Sequence, residues 1–422
     1  MPNFKRTKLA CYTAYFTMSS IFSLPPILFV TLRETYGISY TLLGTLVLTN
    51  FCTQMLIDLA FTLFSKHFNI KQIVRVMPLI TSLGLFLYAL SPILFPNHVY
   101  AGLWLSTVIF SISAGLSEVL LSPVIAAIPS DNPQRDMSAL HSLYAFGVFT
   151  VVVVSTLFLK VFGSEHWQIL TAMWALLPVL SAVMFMTSPM PDMTPAASTG
   201  GNVRTRFKVI GLTLCTFCIF LGSCAENTMS NWISGFMENA LHIDKALGDI
   251  LGMALFAILL GIARISYARY GKRIMPVLIV GMIGSAICYL VIGLSSGTML
   301  AFLGCILTGL FSSMLWPGTL ILMEEKIPGV GVAAYALMAS GGDLGASVAP
   351  QLMGIVIDRV TVSEYAARRA LETGLTPEQI GMKTGMLVTS LFPIAGIFLL
   401  LIIIRYFKKN ASETQAVPTK AS

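Results

Sequence analysis

Two stretches of this chain repeat each other, and that repeat limits what it can fold into. SAGLSEVLLSPVIAAIP (113–129) is echoed by LTGLFSSMLWPGTLILM (307–323), with Gly115 falling on Gly309 and Pro123 on Pro317, each 194 positions later. The apolar segments that follow keep the offset, His141 matching Tyr335 and Gly147 matching Gly341. Halves that share hydropathy and Gly/Pro punctuation build two similar helical bundles.

The solvent of those bundles follows from composition. Only 11% of the 422 residues are charged and 56% are hydrophobic, whereas soluble domains carry about 25% charged residues. The chain is therefore expected to be an all-α membrane protein. A span needs roughly 20 mostly apolar residues, and twelve segments qualify: 9–31, 40–64, 74–95, 99–128, 139–161, 167–188, 208–236, 247–268, 274–295, 298–323, 331–358 and 383–407. The first opens with Lys5, Arg6 and Lys8 and shows no signal-peptidase site, so it reads as an uncleaved span.

A net charge of +7 is compatible with nucleic-acid binding, but its distribution points elsewhere. Most Lys and Arg residues fall in the N-terminal tail, the C-terminal tail and the connections after spans 2, 4, 6, 8 and 10. This positive-inside bias predicts both termini in the cytoplasm. The seven cysteines all lie in the apolar segments, and the Cys215–Cys218 pair has no second ligand pair, so packing is the expected role. The five histidines are scattered, no Walker A pattern occurs, and no nucleophile–base pair is visible. No metal, no cofactor, no catalytic residues and no nucleic-acid partner are expected, and the chain reads as a non-enzyme.

The stretch SPMPDMTPAASTGGNVRTRFK (188–208) has a linker's composition. It divides the chain into an N-terminal six-helix bundle (1–188), a cytoplasmic linker (189–207), a C-terminal six-helix bundle (208–407) and a cytoplasmic tail (408–422). In 360–382, Thr376-Pro377-Glu378 carries a helix-start signature, with Thr376 as cap and Pro377 at the first position, so short external helices are expected there.

Twelve spans in a six-plus-six repeat, joined by a cytoplasmic linker, resemble the major facilitator superfamily. The loop ARYGKRI (268–274) looks like the Gly-x-x-x-Asp-Arg-x-Gly-Arg-Arg loop of that superfamily; in its first-half counterpart (61–75), Phe61 and Ser65 stand where Gly and Asp are expected. A finer resemblance is to the fucose-permease-like sugar symporters, through GLSEVLLSP (115–123), ALHSLYAFG (139–147), ENTMSNWISGF (226–236) and GGDLGASVAPQLMG (341–354); span 1 lacks the acid common in that subgroup. The Gly-x-x-x-Gly-Pro-x-x-Gly-Gly pattern usual in span 5 of drug/proton antiporters is absent from GVFTVVVVSTLF (147–158). The resemblance implies two pseudo-symmetric six-helix bundles, alternating access, a substrate near the midplane between them, and a bacterial cytoplasmic membrane.

Ionisable groups inside a bilayer are costly, which makes each a functional candidate. Glu118 (span 4), Glu226 (span 7) and Asp343 (span 11) lie well within spans. Glu118 shares a helix face with Ser111, Gly115 and Ser122. A carboxylate in an apolar setting favours its neutral, protonated form, which suits a proton symporter; Glu118 is the first choice for ion coupling, with Asp343 and Glu226 next, and sodium is the alternative ion. Glu226 opens the polar run Asn227, Thr228, Ser230, Asn231, Trp232, whose amides suit sugar hydroxyls. Expected substrate contacts are Asn227, Asn231, Trp232, Gln351, Trp316 and Tyr15; the competing readings are interfacial anchoring for Trp232 and packing for Tyr15 and Trp316. Asp58, His141 and Arg264 are candidate gating residues, with a hydrogen-bonded structural role as the alternative for His141.

The combined expectation is a monomeric secondary transporter that moves a small polar solute, a sugar, by proton symport. The alternatives are an efflux antiporter for amphipathic compounds and a non-transporting membrane sensor on the same fold.

Overall fold

A computed structural model describes residues 4–64, 68–130, 133–191, 205–271, 273–327 and 332–410. Most of the 189–207 linker and of the 408–422 tail lies outside the described residues. All regular structure among the described residues is helical: α1 (Lys5–Tyr36), α2 (Tyr40–Phe64), α3 (Ile70–Leu94), α4 (Val99–Ala127), α5 (Pro133–Phe162), α6 (Trp167–Met186), α7 (Thr205–Gly235), α8 (Lys245–Leu247), α9 (Leu255–Tyr270), α10 (Ile274–Leu294), α11 (Thr298–Ser312), α12 (Leu315–Lys326), α13 (Val332–Thr361), α14 (Glu364–Thr373), α15 (Pro377–Thr389) and α16 (Leu391–Lys409). Among the described residues, ten helical stretches are long and apolar enough to cross a membrane. The other two segments read as spans from the sequence correspond to α5, which has a shorter apolar part at Phe146–Phe162, and to α13, which is not among those ten. The chain is a multi-pass integral membrane protein.

Span ends follow local chemistry. α1 stops at Gly37, whose φ of 66° is left-handed and whose N–H bonds the Arg33 carbonyl. Thr376 caps α15 in a reciprocal box with Gln379, with Pro377 at the helix start. That signal does not open a separate external helix: α15 runs directly on to α16, so span 12 begins at Pro377 rather than at 383. α14 is the one short helix of this segment. Span 10 is broken between α11 and α12, just before Pro317. Spans 7 and 8 carry wider, π-type turns at Phe236–Ala240 and Gly248–Ala254, a geometry frequent at functional sites.

Two compact units result. The first comprises Met1–Pro195 with Asn231–Ala257; the second comprises Ala196–Ser230 with Ile258–Ser422. In the first unit α3 packs on α4 and α6, α1 on α5 and α6, and α2 on α4. In the second, α10 packs on α11, α15 and α16, and α13 on α15. The segment Asn231–Ala257 is hydrogen-bonded within the first unit. Thr156 of α5 donates to Asp249 at 3.2 Å, and Asn239 donates to the Tyr40 hydroxyl at 3.1 Å.

The sequence repeat has a counterpart in packing. A Cβ on Gly147 would lie 2.8 Å from the Phe16 carbonyl of α1, and one on Gly341 would lie 2.6 Å from Cγ2 of Thr216 in α7. Glycine at each position lets span 5 approach span 1, and span 11 approach span 7, closely enough for backbone contact. Gly147→Val and Gly341→Val are each expected to cost about 1–3 kcal/mol by overpacking. Thermal unfolding of the purified variants checks this; unchanged midpoints would contradict the packing role.

Candidate functional site

In the second unit the site starts from a proline. Pro317 has no N–H, so the Ser313 carbonyl one turn earlier loses its helical donor. Arg264 of α9 replaces it, its Nε donating to the Ser313 carbonyl at 2.9 Å. The same guanidinium turns Nη2 onto the Glu226 carboxylate of α7, 2.9 Å from Oε1 and 3.2 Å from Oε2. Three spans are thus tied by one side chain, and Glu226 is charge-compensated. Arg264, a gating candidate in the sequence, is the ion-pair partner of Glu226 here.

The polar run after Glu226 is largely satisfied within its own helix. Asn227 donates to the Ser223 carbonyl and hydroxyl at 3.3 and 3.1 Å, Thr228 to the Cys224 carbonyl at 2.7 Å, and Ser230 to the Asn227 carbonyl at 3.2 Å. Trp232 is 1% exposed and packs edge-on to Phe29 and tilted to Tyr40, both at 5.6 Å between centroids. This is an aromatic core setting, not a headgroup anchor. Asn231, one residue earlier, lines a cleft of the first unit with residues of α1, α2 and α4.

Asp343 is 3% exposed on α13. The Trp316 ring lies over the neighbouring Gly342 backbone, so closely that no Cβ fits there. Ser347 donates to the Leu344 carbonyl of its own helix at 2.9 Å, and the Gln351 Oε1 is buried with no hydrogen-bond donor among the described residues.

In the first unit Glu118 stands half-buried on α4. Among the described residues no hydrogen bond or ion pair holds its carboxylate, while Tyr15 of α1 lies within its electrostatic reach. Tyr15 in turn meets Tyr144 of α5 edge-on at 6.5 Å. Gly115, one turn before Glu118, admits α2: a Cβ there would come within 3.2 Å of the Gln54 backbone. α2 is tied to α4 a turn further on, where Ser111 and Gln54 both donate to Oδ1 of Asn50, at 2.7 and 3.0 Å. Asp58 is buried on the same helix as Gln54. The side chain of His141 lies outside the described residues.

Two buried acids escape the sequence reading: Asp136, paired with Lys8 of α1, and Asp249. Asp249 is 1% exposed and accepts hydrogen bonds from Ser234 and Thr156, with the Lys245 ammonium 3.6 Å away and shared with Glu238 at 3.4 Å. Its signal in the sequence is Lys245 at i−4, which places both charges on one helix face.

A family model for the Major Facilitator Superfamily matches residues 10–350. The chain belongs to the Major Facilitator Superfamily. Its fold is shared with a bacterial homologue of the human lysosomal transporter Spinster, solved inward-facing and occupied (TM-score 0.75, 12% identity, 97% of this chain and 99% of that one). A D-xylose–proton symporter is similar at TM-score 0.72 and 14% identity, over 92% and 96% of the two chains. A nucleoside transporter is similar at 0.67 and 16%, over 94% and 99%. At such identities the likeness fixes the facilitator fold. No curated protein matches the chain in sequence.

The Arg264 network makes a stability prediction for this facilitator. Arg264→Leu leaves both the Glu226 carboxylate and the Ser313 carbonyl without their donor, and is expected to cost about 2–4 kcal/mol. Glu226→Gln keeps an acceptor for a guanidinium that is itself 36% exposed and is expected to cost about 1 kcal/mol or less. Thermal unfolding of both variants in detergent checks the order; equal losses would contradict it.

Proposed function

We propose that this facilitator is a secondary active symporter that carries a small neutral polar solute, a sugar, together with a proton. The observation that carries the reading is an asymmetry between two intramembrane acids. The Glu226 carboxylate is neutralised by Arg264, whereas Glu118 has neither an ion pair nor a hydrogen-bond donor among the described residues. A carboxyl group that a proton neutralises meets no charge penalty when its surroundings change, which is what carrying a proton across an apolar span requires.

The resemblance of the span 4, 5, 7 and 11 segments to the fucose-permease-like symporters supports a sugar. The structural likeness to a xylose–proton symporter and a nucleoside transporter is compatible with it. The candidate substrate contacts of this reading are Asn227, Gln351 and Trp316 in the second unit and Tyr15 and Asn231 in the first, with Asp343 as a further candidate for coupling. Trp232 acts in this reading as a support behind the site, and Asp58, His141 and Arg264 as candidates for gating. The protein is a monomer in a bacterial cytoplasmic membrane, with both termini on the cytoplasmic side, in keeping with the Lys/Arg distribution.

Uptake of radiolabelled sugars, nucleosides and amino acids into proteoliposomes tests this, with an inward proton gradient, a sodium gradient or neither. The expected result is sugar accumulation with the proton gradient alone. Glu118→Gln is expected to abolish accumulation while leaving solute exchange across the membrane intact. Full gradient-driven accumulation by that variant would remove Glu118 from the coupling site, and accumulation driven by sodium alone would reassign the ion.

A further inference from the structure

The first unit carries a groove set by how three of its spans pack. α2 and α3 each lie along α4 but are not packed closely on one another. The gap between them has a free volume of about 270 Å³. α2 contributes Ile57, Ala60 and Phe61 to its walls, α3 contributes Val76 and Ile80, and Leu116 of α4 forms the floor. Phe68 joins the lining from the α2–α3 connection, its ring stacked on Phe61 at 4.9 Å between centroids. Every lining side chain is apolar.

The groove faces outward. Leu116 and Glu118 are two positions apart on α4, so they project to nearly opposite sides of that helix, and Glu118 is on the side of Tyr15. Val76 belongs to a stripe of exposed apolar residues on α3 that continues through Leu79, Leu83 and Leu90. In an integral membrane protein such a stripe meets lipid tails, which are as apolar as leucine. The groove is continuous with that lipid-facing surface. Its lining comes from the last two turns of α2 and the first three turns of α3, which places it at the end of the bundle where α1 begins.

Water does not suit this groove, because a buried water needs polar partners and the lining offers none. Left empty, it forfeits the dispersion contacts of every wall. An acyl chain is apolar, narrow and flexible, and the bilayer supplies it at the opening. A cavity of about 150 Å³ already holds benzene, so this volume accepts a length of hydrocarbon chain. The same end of α3 also complements a phosphate. Lys71 and Arg75 stand one turn apart in its first two turns, where the helix dipole is positive, and the Arg75 Nε is buried with no acceptor among the described residues. We propose that the α2–α3 groove is a phospholipid site, in which one acyl chain fills the gap over Leu116 and the phosphate of the same lipid sits at the basic start of α3. The site is independent of which solute the protein carries.

The test uses full-length protein in liposomes that contain a phosphatidylglycerol with a photoactivatable diazirine in one acyl chain. Adducts are mapped by peptide mass spectrometry. Labelling is expected to concentrate on residues 57–61 and 73–80. It should exceed that of Phe398, Leu401 and Ile402, exposed apolar residues of α16, by about tenfold, the equivalent of roughly two buried methylene groups. Ala60→Phe and Val76→Phe fill the groove from its two walls. Both positions border free volume and neither is fully buried, so both variants are expected to fold. Each should bring groove labelling down to the level of α16 and leave the α16 labelling unchanged. A diacylglycerol with the same diazirine, which lacks the phosphate, is expected to label the groove several-fold less than the phospholipid. Even labelling of all exposed apolar faces, or groove labelling that survives both variants, would overturn the inference. Equal labelling by the diacylglycerol would overturn the assignment to a phospholipid.

Discussion

In a bilayer every backbone carbonyl needs a donor, and a proline takes one away. Much of this structure answers that constraint. Pro317 strips the Ser313 carbonyl, the helix of span 10 breaks into α11 and α12, and Arg264 reaches in from α9 to supply the missing donor. Because an arginine has five N–H groups in a fixed fork, the same side chain also holds Glu226. A break in one helix thus determines where a charge can reside in two others. Pro25 and Pro26 inside α1 take helical donors from the Ile21 and Phe22 carbonyls in the same way.

The consequence for charge is a division of labour between the units. In the second, the half-buried Glu226 carboxylate on α7 is paired with Arg264. In the first, Glu118 has Tyr15 within its electrostatic reach and no ion pair among the described residues, and Gly115, one turn before it, brings α2 against α4. The segment Asn231–Ala257 adds a third arrangement, in which Asp249, Lys245 and Glu238 satisfy one another beside α5. Its ends fall inside the continuous helices α7 and α9, so the chain passes from one compact unit to the other without a loop.

The fold was legible because membrane solvent leaves few solutions. Apolar runs of the right length gave the spans, and the Gly/Pro repeat gave two like bundles, visible again in the matched approaches at Gly147 and Gly341. The boundaries that failed did so for local reasons. Thr376-Pro377 is a true helix start, but the helix it starts is span 12 itself. The site was less legible. The sequence shows that Glu226 lies in a span and that Arg264 lies in another. It does not show the helix rotations that bring them together, which depend on the break at Pro317. Trp232 was open to anchoring or ligand contact, and the rings of Phe29 and Tyr40 that enclose it come from distant segments. Asp249 was passed over because it sits at the start of span 8, where an acid reads as part of a loop.

The central claim is that Glu118, and not Glu226, is the intramembrane acid that holds the proton. Infrared difference spectroscopy on the reconstituted protein, between acidic and alkaline buffer, observes the carbonyl stretch of a protonated carboxylic acid directly. The account predicts a band that disappears in Glu118→Gln and persists in Glu226→Gln. A band that survives in Glu118→Gln and is lost in Glu226→Gln would contradict it.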